Sequence, residues 1–126
     1  MKPILAIILL SSVISNTDAG MGELTEELLA EGLVSLDRNG VPTAFCMFST
    51  KYGAARVQSC PVTAGFGARS VGCFTVWNGT RVLQQGCYST QEIAMRSQCK
   101  KRVCTGKRAL SGIAFCCCYG HGCNAV

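Results

Sequence analysis

The first apolar stretch of the chain lies at its amino terminus. A continuous apolar run from Ile4 to Leu10 follows Lys2, and small and polar residues lead on to Ala19. A basic start, an apolar run of this length and a small-residue end are typical of a secretory signal peptide, whereas a membrane span needs about 20 predominantly apolar residues. We therefore expect residues 1–19 to be a signal peptide and the rest of the chain to be secreted, with no membrane span.

The next apolar positions lie in residues 20–45, which we call the arm. Leu24, Leu28 and Leu29 recur at the spacing of one face of an amphipathic helix. A helix this short is marginal in water unless it packs against another part of the protein. The arm is therefore expected to hold either a short helix or no regular structure.

Farther along the chain, β-branched and aromatic residues form short runs that predict strands. Cys73–Trp77 and Arg81–Gln85 are two such runs, and Asn78-Gly79 stands between them. This dipeptide is the strongest short-range hairpin signal, because both central positions of a type I′ turn need a positive φ. The pattern predicts an antiparallel hairpin with its turn at Asn78-Gly79.

Further segments complete the predicted secondary structure. Residues 44–48 and 56–60 flank Tyr52-Gly53 as an earlier hairpin, residues 113–118 form a last strand, and only residues 90–97 have a helical pattern. Antiparallel hairpins joined by short turns predict a mostly antiparallel β fold.

Cysteine is the most informative part of the composition. The chain of 126 residues has ten cysteines, all of them from residue 46 onward. An even number in a secreted chain implies five disulfides, and on the order of 945 pairings are arithmetically open. Disulfides stabilise a domain this small, because its apolar core is limited. The chain has no Cys-x-x-Cys pair of the kind that structural zinc sites use, so we expect neither a metal nor another cofactor.

The charge changes sign between the arm and residues 46–126, which we call the body. The arm has five acidic residues against Arg38, a count of −4, and the body has ten Lys and Arg against Glu92, a count of +9. Part of this charge forms a basic cluster of Lys100, Lys101, Arg102, Lys107 and Arg108. Such a cluster is either a solvated loop or a contact for a polyanion such as heparan sulfate. A third possibility is that the acidic arm folds back on the body and screens it.

The remaining chemistry of the body is sparse. Its one histidine, His121, lies between two glycines, and its one acidic side chain is Glu92. These residues supply neither a carboxylate pair nor a nucleophile with its base and orienting acid, so we expect no enzyme. Nucleic-acid binding is not expected either, because the chain is secreted and lacks the platform of the known modules. His121 is expected in an exposed turn.

Two cysteine patterns near the carboxyl terminus are similar to those of known proteins. Cys117-Cys118, four residues and Cys123-Asn124 resemble the terminal signature of three-finger domains. The third adjacent cysteine, Cys116, together with the segments Cys73–Trp77 and Gln85–Tyr88, resembles the extracellular domains of activin and bone morphogenetic protein (BMP) type II receptors. The resemblance covers the body and not the arm.

This resemblance implies a small, disulfide-rich, three-finger fold of the snake-toxin kind for residues 46–126. It also implies the disulfide pairing, which is Cys46–Cys73, Cys60–Cys87, Cys99–Cys117, Cys104–Cys116 and Cys118–Cys123. The implied site is a cluster of three aromatic residues, Phe74, Tyr88 and Phe115, that binds a dimeric growth factor of the transforming growth factor β (TGF-β) superfamily. For each of the three, packing over the disulfides is the alternative role, and Trp77 is expected only to pack.

The implied function is extracellular binding of an activin-type or BMP-type ligand. The chain would act as a soluble type II receptor-like protein or as the ectodomain of a longer receptor at the cell surface, and no kinase is expected in these residues. The body is more basic than the activin-type relatives, so the ligand's identity is not implied. The alternative is a toxin-like or lymphocyte-antigen-type secreted modulator of a receptor or channel, acting through Lys51-Tyr52, Asn78-Gly79 and Lys107-Arg108. Asn78-Gly79-Thr80 is also an acceptor for N-glycosylation.

Overall fold

The computed structural model describes residues 22–63, 67–104 and 112–125. The predicted signal peptide, residues 1–19, and the basic residues Lys107 and Arg108 lie outside these ranges. Within them the protein is mostly antiparallel β structure, as expected, with two short helices. No helix in the described ranges is long and apolar enough to cross a membrane.

The described residues form two sheets. In chain order the elements are helix α1 (Glu23–Ala30), strands β1 (Ser35–Leu36), β2 (Pro42–Phe48), β3 (Arg56–Pro61), β4 (Arg69–Asn78) and β5 (Arg81–Gln91), helix α2 (Glu92–Gln98), and strands β6 (Cys99–Lys101) and β7 (Ile113–Tyr119). The first sheet has the order β1-β2-β3 and the second the order β5-β4-β7-β6. The two predicted hairpins, the last strand and the helical segment near residue 90 are thus confirmed.

The turn between β4 and β5 lies one residue later than predicted. Asn78 is the last residue of β4 and pairs with Arg81, so the two loop residues are Gly79 and Thr80. Gly79 has a φ of 62°, whereas the φ of Thr80 is not positive. A type I′ turn requires a positive φ at both loop residues. The prediction of a type I′ turn was wrong: one glycine at the first central position is the pattern of a type II′ turn.

Strand β6 was not predicted, and it breaks the antiparallel pattern. It runs parallel to β7, with Cys99 opposite Cys117 and Lys101 opposite Tyr119. Its three residues, Cys99–Lys101, include no β-branched or aromatic side chain, so the sequence had no strand signal there. The Cys99–Cys117 disulfide joins two residues that are already partners in the ladder.

Five disulfides tie the described elements together, and their pairing coincides with that implied by the resemblance. They are Cys46–Cys73, Cys60–Cys87, Cys99–Cys117, Cys104–Cys116 and Cys118–Cys123. The first two join strands of one sheet to strands of the other. In the described residues, the two sheets also share an isolated β-bridge between Ser49 and Gln85. Because successive side chains of a strand point to opposite faces, the three adjacent cysteines of β7 can serve three different bridges.

The arm belongs to the same folded unit as the body. Helix α1 buries Leu24 and Leu28 almost completely in the core that contains the disulfide cysteines. Strand β2, Pro42–Phe48, crosses the boundary that the sequence suggested between residues 45 and 46. The division was drawn from charge and cysteine content, which change there, whereas the strand continues. Of the two alternatives for the arm, the short helix is the one observed.

Buried polar contacts fix where the two sheets meet. The side chain of Asn124 is fully buried; its oxygen accepts from the backbone N–H of Met47 at 2.9 Å, and its amide donates to the carbonyls of Met47 and Phe74 at 3.0 and 2.9 Å. Gln85 donates to the carbonyl of Asn124 at 2.6 Å. Asn124 therefore connects β2 to β4 where their ladders do not meet.

Candidate functional site

The three aromatic residues singled out from the sequence lie together. The ring centroids of Phe74 and Phe115 are 6.0 Å apart with nearly parallel planes, and those of Tyr88 and Phe115 are 5.4 Å apart in an edge-on arrangement. Both separations fall in the range of favourable aromatic pairs, about 4.5–7 Å. Phe115 is thus in contact with both of the other rings.

Strand order and register explain this meeting. β4 lies between β5 and β7, so Phe74 has a neighbouring strand on each side. Gly86 is the partner of Phe74 on β5, and Phe115 is the partner of Val76 on β7. Residues two apart on a strand share a face, so Phe74, Tyr88 and Phe115 project from the same face of the sheet.

A glycine under the rings allows them to lie close to the sheet. A Cβ atom added at Gly86 would stand 3.2 Å from Cε1 of Phe74 and 3.7 Å from Cδ2 of Phe48. The ring of Phe74 therefore covers the Gly86 position, and Phe48 borders it from β2. Phe48 was not predicted as a site residue. Phe48 is two residues from the buried Cys46 on β2, so the two side chains share a face. This spacing could have placed Phe48 on the inner face of the first hairpin.

We call Phe48, Phe74, Tyr88 and Phe115 the aromatic face. Phe115 is 47% exposed, whereas Phe74 and Tyr88 are half-buried and pack against the core. The hydroxyl of Tyr88 donates to Oε1 of Gln98 at the end of α2. The packing role is therefore present for Phe74 and Tyr88, which stay partly accessible, whereas ligand binding by the three rings stays a prediction.

Other residues singled out from the sequence have different surroundings. Trp77 is 2% exposed and packs, as expected. Asn78 is exposed at the end of β4, and its glycosylation stays a prediction. His121 lies in an exposed turn, where its Nδ1 accepts from the backbone N–H of Phe45 at 3.1 Å. The proton of a neutral ring is then on Nε2, 3.3 Å from the hydroxyl oxygen of Ser35, so this nitrogen donates and cannot act as a base toward that hydroxyl.

Lys101 of the basic cluster is paired with carboxylates of the arm, a difference from the unpaired cluster considered first, and its contact with a polyanion stays a prediction. Its Nζ lies 2.7 Å from a carboxylate oxygen of Glu27 and 2.6 Å from one of Glu31, both on α1. Arg96 pairs with the same Glu27 at 3.1 Å. Folding of the acidic arm onto the body, one of the alternatives above, explains the difference. Lys100 and Arg102 are exposed on β6 and just after it.

The ion pairs shift the protonation of their partners. Hydrogen bonding to Lys101 and Arg96 holds the pKa of Glu27 below its ordinary value. Hydrogen bonding to Glu27 and Glu31 raises the pKa of Lys101. Nearby, burial raises the pKa of the Tyr119 phenol on β7. The ion pairs thus favour the charged forms of Glu27 and Lys101, whereas burial favours the neutral form of the Tyr119 phenol.

The aromatic face is a surface of mainly apolar rings, of which Phe115 is 47% exposed. In the described ranges, no three His, Cys, Asp or Glu side chains lie together as metal ligands would. Three rings of the aromatic face lie on the second sheet and Phe48 lies on the first, and disulfides join the two sheets. Neither a protein-family model nor a curated protein sequence matches the chain.

Proposed function

We propose that this chain is an extracellular ligand-binding domain of the activin and BMP type II receptor kind. It binds a dimeric growth factor of the TGF-β superfamily through the aromatic face. Its three fingers are the β2–β3 hairpin, the β4–β5 hairpin and the segment from β6 to β7. The observation that carries this proposal is the meeting of Phe74, Tyr88 and Phe115, at centroid distances of 6.0 and 5.4 Å, on one accessible face.

The physical properties of this face support the proposal. Aromatic residues that are accessible before binding and fully desolvated afterwards dominate many protein interfaces, where truncation of one costs about 2 kcal/mol or more. Phe115 fits this description best, because it is 47% exposed and contacts both neighbouring rings. Disulfides hold each strand that carries a ring: Cys46–Cys73 and Cys60–Cys87 for β2, β4 and β5, and Cys99–Cys117, Cys104–Cys116 and Cys118–Cys123 for β7, which limits the entropy lost on binding.

A direct test measures binding of growth-factor dimers to the refolded chain. Activin-type and BMP-type dimers are passed over the immobilised protein and over Phe74→Ala, Tyr88→Ala and Phe115→Ala variants. Phe45→Ala is the matched control, because Phe45 is 44% exposed and precedes the buried Cys46 on β2, so it faces away from the aromatic face. Phe115→Ala should weaken binding by about 30-fold, and Phe45→Ala should leave it unchanged.

The same experiment separates the competing function. A toxin-like modulator would act through Lys51-Tyr52, Asn78-Gly79 and Lys107-Arg108, and it would tolerate loss of the aromatic face. Dimer binding that survives the triple substitution of Phe74, Tyr88 and Phe115 would overturn the proposal. Correct disulfides in each variant are checked by mass spectrometry before and after reduction.

A further inference from the structure

A cleft lies between the loop after β2 and the far end of the β4–β5 hairpin. Its volume is about 690 Å³, within the range of about 300–1,000 Å³ typical of ligand sites. It is lined by Thr50, Lys51, Tyr52, Val76, Asn78, Arg81, Leu83 and Gln84. The lining combines two cations, an aromatic ring and an apolar floor.

The charge of this cleft is not balanced within the described chain. Neither Lys51 nor Arg81 forms an ion pair with any carboxylate in those ranges, where the three ion pairs all involve Glu27 or Glu31. The one acidic side chain of the body, Glu92, is hydrogen-bonded to the start of α1. Lys51 and Arg81 are therefore open to carboxylates of a partner.

The cleft is continuous with the aromatic face. Val76 lines the cleft and is the ladder partner of Phe115, and Gln84 is the partner of Val76 on the other side. At the opposite wall Tyr52 is 86% exposed, and Nζ of Lys51 lies 4.9 Å from the centre of its ring. A partner that covers Phe115 can therefore also contact Val76 and enter the cleft.

We infer that this cleft binds an acidic segment of the protein partner, whose carboxylates pair with Lys51 and Arg81. The guanidinium of Arg81 can hold a carboxylate by two parallel hydrogen bonds, and Lys51 supplies a second positive charge. Apolar side chains of the same segment lie on Val76 and Leu83. That one partner covers both the cleft and the aromatic face rests on the proposed function, whereas the charge and shape of the cleft are independent of it.

An acidic peptide fits this lining better than a sulfated glycan does. Ligand sites in general are mostly apolar with a few placed polar groups, and here Tyr52, Val76 and Leu83 offer apolar surface that a sulfated sugar would leave uncovered. The polar groups of Thr50 and Gln84 are available to the backbone of a bound peptide. Heparin is therefore the contrasting ligand in the test.

The test uses a chain that cannot carry a glycan at the cleft. Asn78 is one of the lining residues, so all variants carry Thr80→Ala, which removes the glycosylation acceptor without changing the lining. The probe is a fluorescent peptide of alternating glutamate and leucine. Lys51→Glu/Arg81→Glu is compared with Arg38→Glu/Lys100→Glu, which changes the net charge equally at exposed residues away from the cleft.

Reversal of the two cleft cations should weaken peptide binding by about tenfold or more at low salt, and added salt should reduce the difference. The control pair should have little effect. Equal losses in both variants would mean that only overall charge matters and would overturn the inference. Binding of a heparin fragment at the cleft in place of the peptide would overturn it as well.

Growth-factor dimers separate this inference from the proposed function. If Phe115→Ala weakens dimer binding as expected and the reversal of Lys51 and Arg81 leaves both dimer and peptide binding unchanged, the inference is wrong and the proposed function stands. If no dimer binds but the peptide binds through Lys51 and Arg81, the proposed function is wrong and the cleft site stands.

Discussion

The carboxylate of Glu92 accepts a 2.8 Å hydrogen bond from the backbone N–H of Thr25, a residue 67 positions earlier in the chain. It also accepts from the N–H of Leu24 at 3.2 Å and from the hydroxyl of Thr25. The first N–H groups of a helix have no partner within the helix, and a negative charge there is favoured by the helix dipole. Gly22, at the N-cap, has no side chain to do this, so the body supplies the cap of α1.

Loss of this cap should destabilise the whole domain. Glu92→Gln keeps the size of the side chain, removes its charge and weakens the bonds to Leu24 and Thr25, at a cost of about 1–2 kcal/mol. Guanidinium unfolding with the disulfides intact measures the change. Glu23→Gln is the control, because Glu23 is an exposed carboxylate in the first turn of the same helix. Equal stability of the two variants would contradict this account of Glu92.

Gly22 should be coupled to Glu92. A Cβ atom at Gly22 would overlap the carboxylate of Glu92, so Gly22→Ala has to push the cap aside. We expect Gly22→Ala to cost about as much as losing the cap, and the cost should largely disappear in a Glu92→Ala background, because neighbouring sites are not additive. A double-mutant cycle on unfolding free energies measures this coupling. Additive costs would show that the two residues act independently.

These contacts mark the limit of what the sequence could predict. Local patterns, such as the runs on either side of Asn78-Gly79, predicted the strands, because alternation and turn formation depend on residues that are close together in the sequence. The roles of Glu92 and Lys101 depend on partners on α1, which is far away in the sequence. No pattern of neighbouring residues predicts such contacts. The turn was misplaced by one residue because Asn-Gly and Gly-Thr can each occupy a two-residue loop, and the register decides between them.

The cluster of Phe74, Tyr88 and Phe115 could be predicted from the sequence for a different reason. The resemblance placed Phe74, Tyr88 and Phe115 beside particular cysteines, and the strand order then brought them together. Phe48 was missed because its neighbour across the sheets is Gly86, a residue with no side chain to suggest a contact. The register of two separate sheets cannot be worked out from either hairpin alone.

Asn124 should be more important for stability than its position near the carboxyl terminus suggests. Asn124→Asp keeps the shape but turns a carboxylate oxygen toward the carbonyls of Met47 and Phe74, which now receive hydrogen bonds. Each buried group left without a partner costs about 1–3 kcal/mol, and the total loss should be roughly 3 kcal/mol. Guanidinium unfolding at neutral pH measures it, with Ala125→Gly as the control at an exposed neighbour. A loss below that of the control would contradict the connecting role.

Docking of the arm should weaken in acid and in high salt. Glu27 has a lowered pKa, so its contribution is present above the ordinary carboxyl pKa and is lost as the pH falls through the lowered value. Lys101 has a raised pKa, so its contribution is present below the ordinary ammonium pKa and is lost as the pH rises through the raised value. The ion pairs therefore act across the neutral range.

Lys101→Met tests this dependence. At neutral pH and low salt the variant should be less stable than the parent protein, and the difference should shrink as the pH falls below the ordinary carboxyl pKa and also in about 1 M salt. Lys100→Met is the control, because Lys100 is the exposed neighbour on β6 and has no carboxylate partner in the described ranges. Thermal unfolding of the three proteins measures the effect. A difference that persists unchanged in acid would show that the ion pairs do not hold the arm.

Gly86→Ala should disturb binding while leaving the fold intact. The new methyl group would stand 3.2 Å from the Phe74 ring, closer than an ordinary contact, so the ring has to move a few tenths of an ångström from its place on the aromatic face. We expect affinity for the growth-factor dimer of the proposed function to fall by about tenfold, with stability changed by less than about 1 kcal/mol. Gly53→Ala is the control, because a methyl group there meets only the Thr50 hydroxyl, at 3.6 Å. Equal affinities of the two variants would mean that Phe74 does not need its place over Gly86 to bind.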